Sequence, residues 1–130
     1  MKGLLLDTHA LFWFDARDPR IPAATLRRLQ TSALPLVVSV VSIYEMALAI
    51  AKNRWPEAAV YFPDAAEKLE AAGYTVLPIT GRHVETAARL PRHHNDPWDR
   101  LLVATAMTEG LTLVTADRAV QAYAVDRLWA

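Results

Sequence analysis

At 130 residues with 53% apolar side chains, the chain has the size and composition of one globular domain with a sizeable core, which sets it apart from disordered and fibrous classes. It contains no cysteine, which excludes a disulfide framework, a thiolate metal site and a cysteine nucleophile. Fourteen Lys and Arg balance fourteen Asp and Glu, so net charge does not draw it to nucleic acid, and any such contact has to be local.

Residues 1–6 carry one Lys and a short apolar run that Asp7 ends too early for a signal peptide. Residues 3–6 read as a buried strand, and Asp7 or Thr8 has the chemistry to cap a helix from His9 onward. Residues 36–41, rich in β-branched side chains, read as a second strand and are too short to cross a bilayer. A helix over 42–52 places Ile43, Met46, Ala47 and Ile50 on one face, and Ser42 with Glu45 has capping-box spacing. A helix over 63–72 stops at Gly73, a third strand covers 74–79, and a helix over 80–90 stops before Pro91. Asp96 and Pro97 open a helix over 97–109 that Gly110 ends, followed by a strand over 111–115 and a short fifth over 125–128.

Strands apolar on both faces, alternating with helices, predict an α/β fold: a three-layer α/β/α sandwich around a mostly parallel sheet of four or five strands. Residues 1–130 are expected to form a single soluble, cytoplasmic domain. In such sheets ligands bind beyond the carboxyl ends of the strands. Acids lie at those places. Asp7 follows the first strand, Glu45 the second, and Asp117 the fourth, while Asp99 sits in the first turn of the helix that Asp96 opens.

Taken singly, each acid has a plain reading as a helix cap or a favourable charge in a first turn. As a set they have another, because parallel strands bring their carboxyl ends to one edge. Gathered carboxylates repel and resist ionisation, and a divalent cation relieves the conflict. Oxygen ligands without cysteine favour Mg²⁺ or Mn²⁺ over zinc or copper.

With these motifs in place the sequence resembles PIN-domain ribonucleases, most closely the VapC-type toxins of bacterial toxin–antitoxin pairs. The resemblance rests on Leu-Leu-Leu-Asp-Thr-His-Ala at 4–10, Ser-Ile-Tyr-Glu-Met-Ala at 42–47 and Leu-Pro-Ile-Thr at 77–80. It continues through His-His-Asn-Asp-Pro-Trp-Asp-Arg-Leu-Leu-Val-Ala at 93–104 and Gly-Leu-Thr-Leu-Val-Thr-Ala-Asp at 110–117. Trp98 stands where this subgroup usually has Phe. The resemblance implies Asp7, Glu45, Asp99 and Asp117 as catalytic metal ligands, with Asp96 either a further ligand or only the cap. It also implies Mg²⁺-dependent hydrolysis of RNA, leaving a 5′-phosphate and a 3′-hydroxyl, with Mn²⁺ as a substitute ion. A homodimer and a cognate VapB-like antitoxin are the implied partners.

Thr8 and Thr115 are candidates to orient the acids by hydrogen bonding, with simple capping the equal alternative. Arg82, Arg89, Arg92, His93, His94 and Arg100 lie near the acidic corner in sequence. Of these, Arg82, Arg92 and Arg100 are the candidate RNA contacts, against a plain reading as solvated surface. The adjacent His93 and His94 suit a loop better than a chelate, so neither is assigned as a ligand. Phe12, Trp13, Phe14 and Trp129 suit core or dimer packing better than base stacking. A metal-dependent phosphatase is disfavoured because His9, not Asp, stands two residues after Asp7, and a receiver-like domain because its acidic pair and late Lys are missing. A non-catalytic interaction module of the same fold is the remaining alternative, and the full acid set speaks against it.

Overall fold

The computed structural model describes residues 2–130. Its sheet has five strands, all parallel, in the order β3-β2-β1-β4-β5. These are β1 (Leu4–Leu6), β2 (Leu36–Ser39), β3 (Thr75–Leu77), β4 (Thr112–Val114) and β5 (Arg127–Leu128). β1 lies in the middle, with Leu5 opposite Val37 of β2 and Leu113 of β4. A strand covered on both faces needs apolar side chains at every position, and three consecutive leucines, each at most 2% exposed, supply that.

The pleat sends alternate residues to opposite faces. Leu4, Leu6, Val38 and Val114 form one core with α1 (Thr8–Asp15), α2 (Ala23–Thr31), α3 (Val40–Ala51) and α4 (Ala65–Ala71). Leu5, Val37 and Leu113 form the other with α5 (Gly81–Arg89) and α6 (Pro97–Glu109). Three layers result, and the sheet is wholly parallel rather than mostly so. α3 serves both sides, with Met46 in the first core and Val41 in the second.

Several elements depart from the sequence reading. The second strand ends at Ser39, not at residue 41, because the Ser39 hydroxyl turns back to accept the Val41 N–H at 3.0 Å and starts α3 there. Ser42 and Glu45 therefore sit inside the helix and form no capping box. α2 went unanticipated; only Thr25 and Leu29 of its nine residues are buried, and its N-terminus lacks a capping side chain. Short 3₁₀ segments occupy Pro56–Tyr61, which was also unforeseen, and Arg118–Ala122, where Asp117 is the cap that its plain reading expected. The first is anchored by Asp15 at the end of α1, whose carboxylate accepts from the hydroxyls of Tyr61 and Tyr74. Burial, and then that carboxylate, push both phenols well above their ordinary range.

Gly3 lies where β1 passes close to the chain entering β2. A methyl group there would stand 3.0 Å from the Pro35 carbonyl oxygen and 3.2 Å from the Val37 side chain. That carbonyl is already fixed by the Leu4 N–H at 3.0 Å and cannot easily yield. Gly3→Ala is expected to lower stability by roughly 1–3 kcal/mol, read from a shifted denaturant midpoint with an unchanged slope.

Candidate active site

The parallel sheet delivers the carboxyl ends of β1, β2 and β4 to one edge, and the acids stand just beyond it. The Asp7 N–H continues the ladder by donating to the Val114 carbonyl at 3.0 Å, which ties the first corner to the fourth strand. Asp7 Oδ1 then accepts the Ala10 N–H at 2.8 Å and caps α1. Asp117 Oδ1 accepts the Ala119 N–H at 2.9 Å and caps the 3₁₀ segment after β4. Asp96 Oδ1 accepts the Trp98 and Asp99 N–H groups at 2.8 and 3.4 Å and caps α6. In sequence, capping and ligation looked like rival roles. In the structure each cap uses Oδ1 alone, so capping does not take up the second carboxylate oxygen.

Asp7, Glu45, Asp96, Asp99 and Asp117 line one cavity of about 250 Å³, together with His9, Trp13 and Ala116. All of the predicted acids are thus brought together. Glu45 projects from the second turn of α3, and its Oε1 lies 2.6 Å from Thr8 Oγ1, which is also 2.9 Å from Ser42 Oγ. A hydroxyl has one proton, and the carboxylate is the stronger acceptor; Thr8 donates to Glu45 and receives from Ser42. The Thr115 hydroxyl accepts the Asp117 N–H at 3.0 Å and bonds the Asp7 carboxyl. Both threonines are buried to within 2%.

The electrostatics match a site short of positive charge. Burial pushes the Asp7 carboxyl up, against the Thr115 hydroxyl, the Ala10 N–H and His9, which favour its charged form; Asp117 adds to the rise. Asp99 is pushed up to about 7, first by burial and then by the charge of Asp96, with Glu45 and Asp7 adding to it and His94 opposing. Desolvation and like charge act in the same direction here.

The basic candidates separate. Arg100 turns inward: its guanidinium donates to the carbonyls of Ala87, Leu90, Pro91 and His94 at 2.7–3.3 Å, stapling the end of α5 and the following loop to α6. That leaves it little to offer a phosphate. Arg82 and Arg92 are exposed and do not line the acidic cavity. Trp13, read from sequence as a packing residue, forms part of the cavity wall.

His94 is the member that sequence reasoning missed. Its Nε2 lies 2.6 Å from Asp117 Oδ2 and 3.2 Å from Asp99 Oδ2, and its Nδ1 accepts the Asp96 N–H at 3.0 Å. Adjacency to His93 argued for a loop, and a loop it is. The unread signal was that Asn95-Asp96-Pro97 folds that loop straight back over the start of α6.

The donor set fits a hard divalent cation. Four or five carboxylates, one of them pushed up to about 7 by burial and then by the charge of its neighbours, supply oxygen ligands and excess negative charge. Asp7, Glu45, Asp99 and Asp117 would hold the ion, with Asp96 beside them.

Comparison with known proteins bears on the family and the fold. The PIN domain profile matches residues 4–126. Ribonuclease VapC22 of Mycobacterium tuberculosis is 32% identical over 127 residues, covering 95% of this chain and 93% of that protein. Among solved structures, VapBC2 from Rickettsia felis bound to a DNA fragment from its promoter superposes with a TM-score of 0.70 at 12% identity, over the full length of both chains. The VapC20 toxin of Mycobacterium tuberculosis, a Sarcin-Ricin loop cleaving toxin, gives 0.67 at 20% identity, covering 98% of this chain and 100% of that one. At those identities the structural likeness speaks to fold alone. The profile match across nearly the whole sequence and the likeness to a ribonuclease at 32% identity establish that this chain belongs to the PIN domain family.

Proposed function

We infer that residues 1–130 form one PIN domain that acts as a metal-dependent endoribonuclease, the toxin of a VapBC-type toxin–antitoxin pair. The observation that carries this reading is the convergence of Asp7, Glu45, Asp96, Asp99 and Asp117, from four separate parts of the chain, on one cavity. A relative that is a ribonuclease, and neighbours that are toxin–antitoxin complexes, support the substrate and the biological role.

A divalent cation, Mg²⁺ or Mn²⁺, would supply a water of lowered pKa and neutralise charge building on the scissile phosphate. The chain's own groups do the rest. Asp7 and Asp117 are locked at their corners by backbone capping bonds through Oδ1, and the second oxygen of Asp117 is further held by His94, so neither has much side-chain freedom left to lose. Glu45 caps nothing, and its hydrogen-bond partner is the Thr8 hydroxyl; it is the carboxylate best placed to take the proton of an attacking water. Attack at phosphorus with departure of O3′ leaves a 5′-phosphate and a 3′-hydroxyl. Arg82 and Arg92 are exposed, and Arg20 and Arg54 line the neighbouring cavity that shares His9, Trp13 and Glu45; these are cations for the RNA backbone.

A largely apolar groove of about 440 Å³ lined by Phe12, Asp15, Ala16, Glu57, Val60 and Tyr61, with Val60 73% exposed, suits an antitoxin segment. A homodimer belongs to the same reading, as does a cytoplasmic location; among the described residues no helix is long and apolar enough to cross a membrane.

The test is cleavage of a labelled single-stranded RNA with added Mg²⁺. Products should carry 5′-phosphates, and EDTA should abolish cleavage until Mg²⁺ or Mn²⁺ is restored. Undiminished cleavage in EDTA, or products ending in 2′,3′-cyclic phosphates, would contradict the mechanism. Apparent metal affinity is expected to fall up to about tenfold per pH unit below neutrality, because Asp99 must lose its proton to bind.

A further inference from the structure

We propose that His94 is a positioning residue that clamps Asp99 and Asp117 together through its Nε2–H and does not itself ligate the cation. His94 sits where a ligand would be looked for, since its ring nitrogen and one oxygen each of Asp99 and Asp117 all lie within 4.8 Å of one another. The other side of the ring decides its role. Nδ1 accepts the Asp96 N–H at 3.0 Å, and an accepting nitrogen carries no proton. The ring proton is therefore on Nε2, which donates to Asp117 Oδ2 at 2.6 Å, with Asp99 Oδ2 3.2 Å from the same nitrogen as a second, weaker contact.

To coordinate a metal through Nε2, the ring would have to move its proton to Nδ1, against the N–H of Asp96. That would set two donors against each other at the N-terminus of α6 and disturb the turn that places Asp96 and Asp99. Keeping the proton on Nε2 avoids this. A carboxylate oxygen has two lone pairs, so Asp117 Oδ2 can accept from His94 and still face a cation.

The loop carrying His94 is itself tied down. The His94 N–H donates to the Tyr123 hydroxyl at 3.0 Å, and its carbonyl accepts from Arg100 at 3.3 Å. The clamp joins two acids from different elements, the start of α6 and the corner after β4, whose like charge would otherwise drive them apart. Ligating carboxylates are commonly oriented by outer hydrogen bonds of this kind, and their loss typically weakens metal binding by about 10–100-fold. The remaining ligands are all oxygens, in keeping with a hard cation.

This inference rests on reading the acids as a cation site, and the experiments keep the two apart. Nitrogen NMR of the His94 ring, at mildly alkaline pH and without metal, should show a protonated Nε2 and a bare Nδ1, unchanged on saturation with Mg²⁺. A proton on Nδ1, or loss of the Nε2 proton when Mg²⁺ binds, would overturn the proposal. Mn²⁺ binding, followed by electron paramagnetic resonance, gives the second readout. His94→Gln can still present an N–H near the position of Nε2, whereas His94→Asn cannot reach it. The Asn variant, whose amide oxygen can still accept the Asp96 N–H, should melt near the wild-type temperature yet bind Mn²⁺ about 10–100-fold more weakly, and the Gln variant, which keeps the N–H toward Asp117 but leaves the Asp96 N–H unpaired, should bind more tightly than the Asn variant. Equal Mn²⁺ affinity in the Asn variant and wild type would refute the clamp. Wild-type protein that binds no Mn²⁺ would defeat the cation reading, and the ring's proton would still decide what His94 does.

Discussion

Asp99→Asn should abolish RNA cleavage and at the same time make the metal-free protein more stable at neutral pH. The carboxyl is raised from its ordinary 3.8 to about 7, so the folded protein holds a proton there that the unfolded chain has already released. An acid raised in this way contributes stability that is fully present below 3.8 and is lost as pH climbs through 7. Above neutrality the folded state carries a charge crowded by Asp96, Glu45 and Asp7.

Asparagine keeps the shape without the charge. With the Asp99 side chain 31% exposed, water softens the repulsion, and the gain is on the order of 1–2 kcal/mol, or several degrees in melting temperature. Cleavage is expected to drop by about a hundredfold or more, since a ligand is lost and charge neutralisation with it. Melting in EDTA at about pH 5 and about pH 8 checks the first half: the variant's advantage should appear mainly at the higher pH. A folded Asp99→Asn protein that cleaves RNA fully would remove Asp99 from the site. One less stable than wild type at the higher pH would remove the crowding.

The second large effect falls on Arg100. Its guanidinium meets four carbonyls at the end of α5 and in the following loop, as well as the Tyr123 hydroxyl. Tyr123 in turn donates to the Pro91 carbonyl at 2.7 Å. Arg100→Ala takes the side-chain donor from the Leu90 and His94 carbonyls, leaves Pro91 to Tyr123 and the His93 N–H, and frees the loop that carries His94 toward the acids. A loss of roughly 2–4 kcal/mol is expected, because buried acceptors without partners forfeit their full desolvation energy. Arg100→Lys should recover little of it, since one ammonium cannot span acceptors arranged for a planar fork. If Arg100 instead served mainly to hold RNA, the alanine variant would melt like wild type and lose affinity with a shallower salt dependence.

The sequence made the acids legible because each stands at a corner with strong local chemistry: Asp7 after three leucines, Asp96-Pro97 at a helix start, and Asp117 after Leu-Val-Thr. It made the sheet legible because strands covered on both faces announce themselves as apolar runs. α2 was not legible, for its nine residues bury only Thr25 and Leu29 and carry no cap. Nor was the true start of α3, because Val40 and Val41 look like strand and only the hydroxyl of Ser39 turns them into helix. His94 and Arg100 were misjudged for a common reason. Their roles lie in what the loop between α5 and α6 folds against, and no periodicity encodes that.

The placement of β1 between β2 and β4 bears on when the enzyme acquires its activity during synthesis. Asp7 and Glu45 leave the ribosome early, yet the groove they share is closed by Asp99 and Asp117, and β1 has no neighbour on one edge until residues 112–114 are made. A nascent chain interrupted before that point has no assembled cleft. The order of the strands therefore makes assembly of the cleft wait for β4 and the corner that follows it.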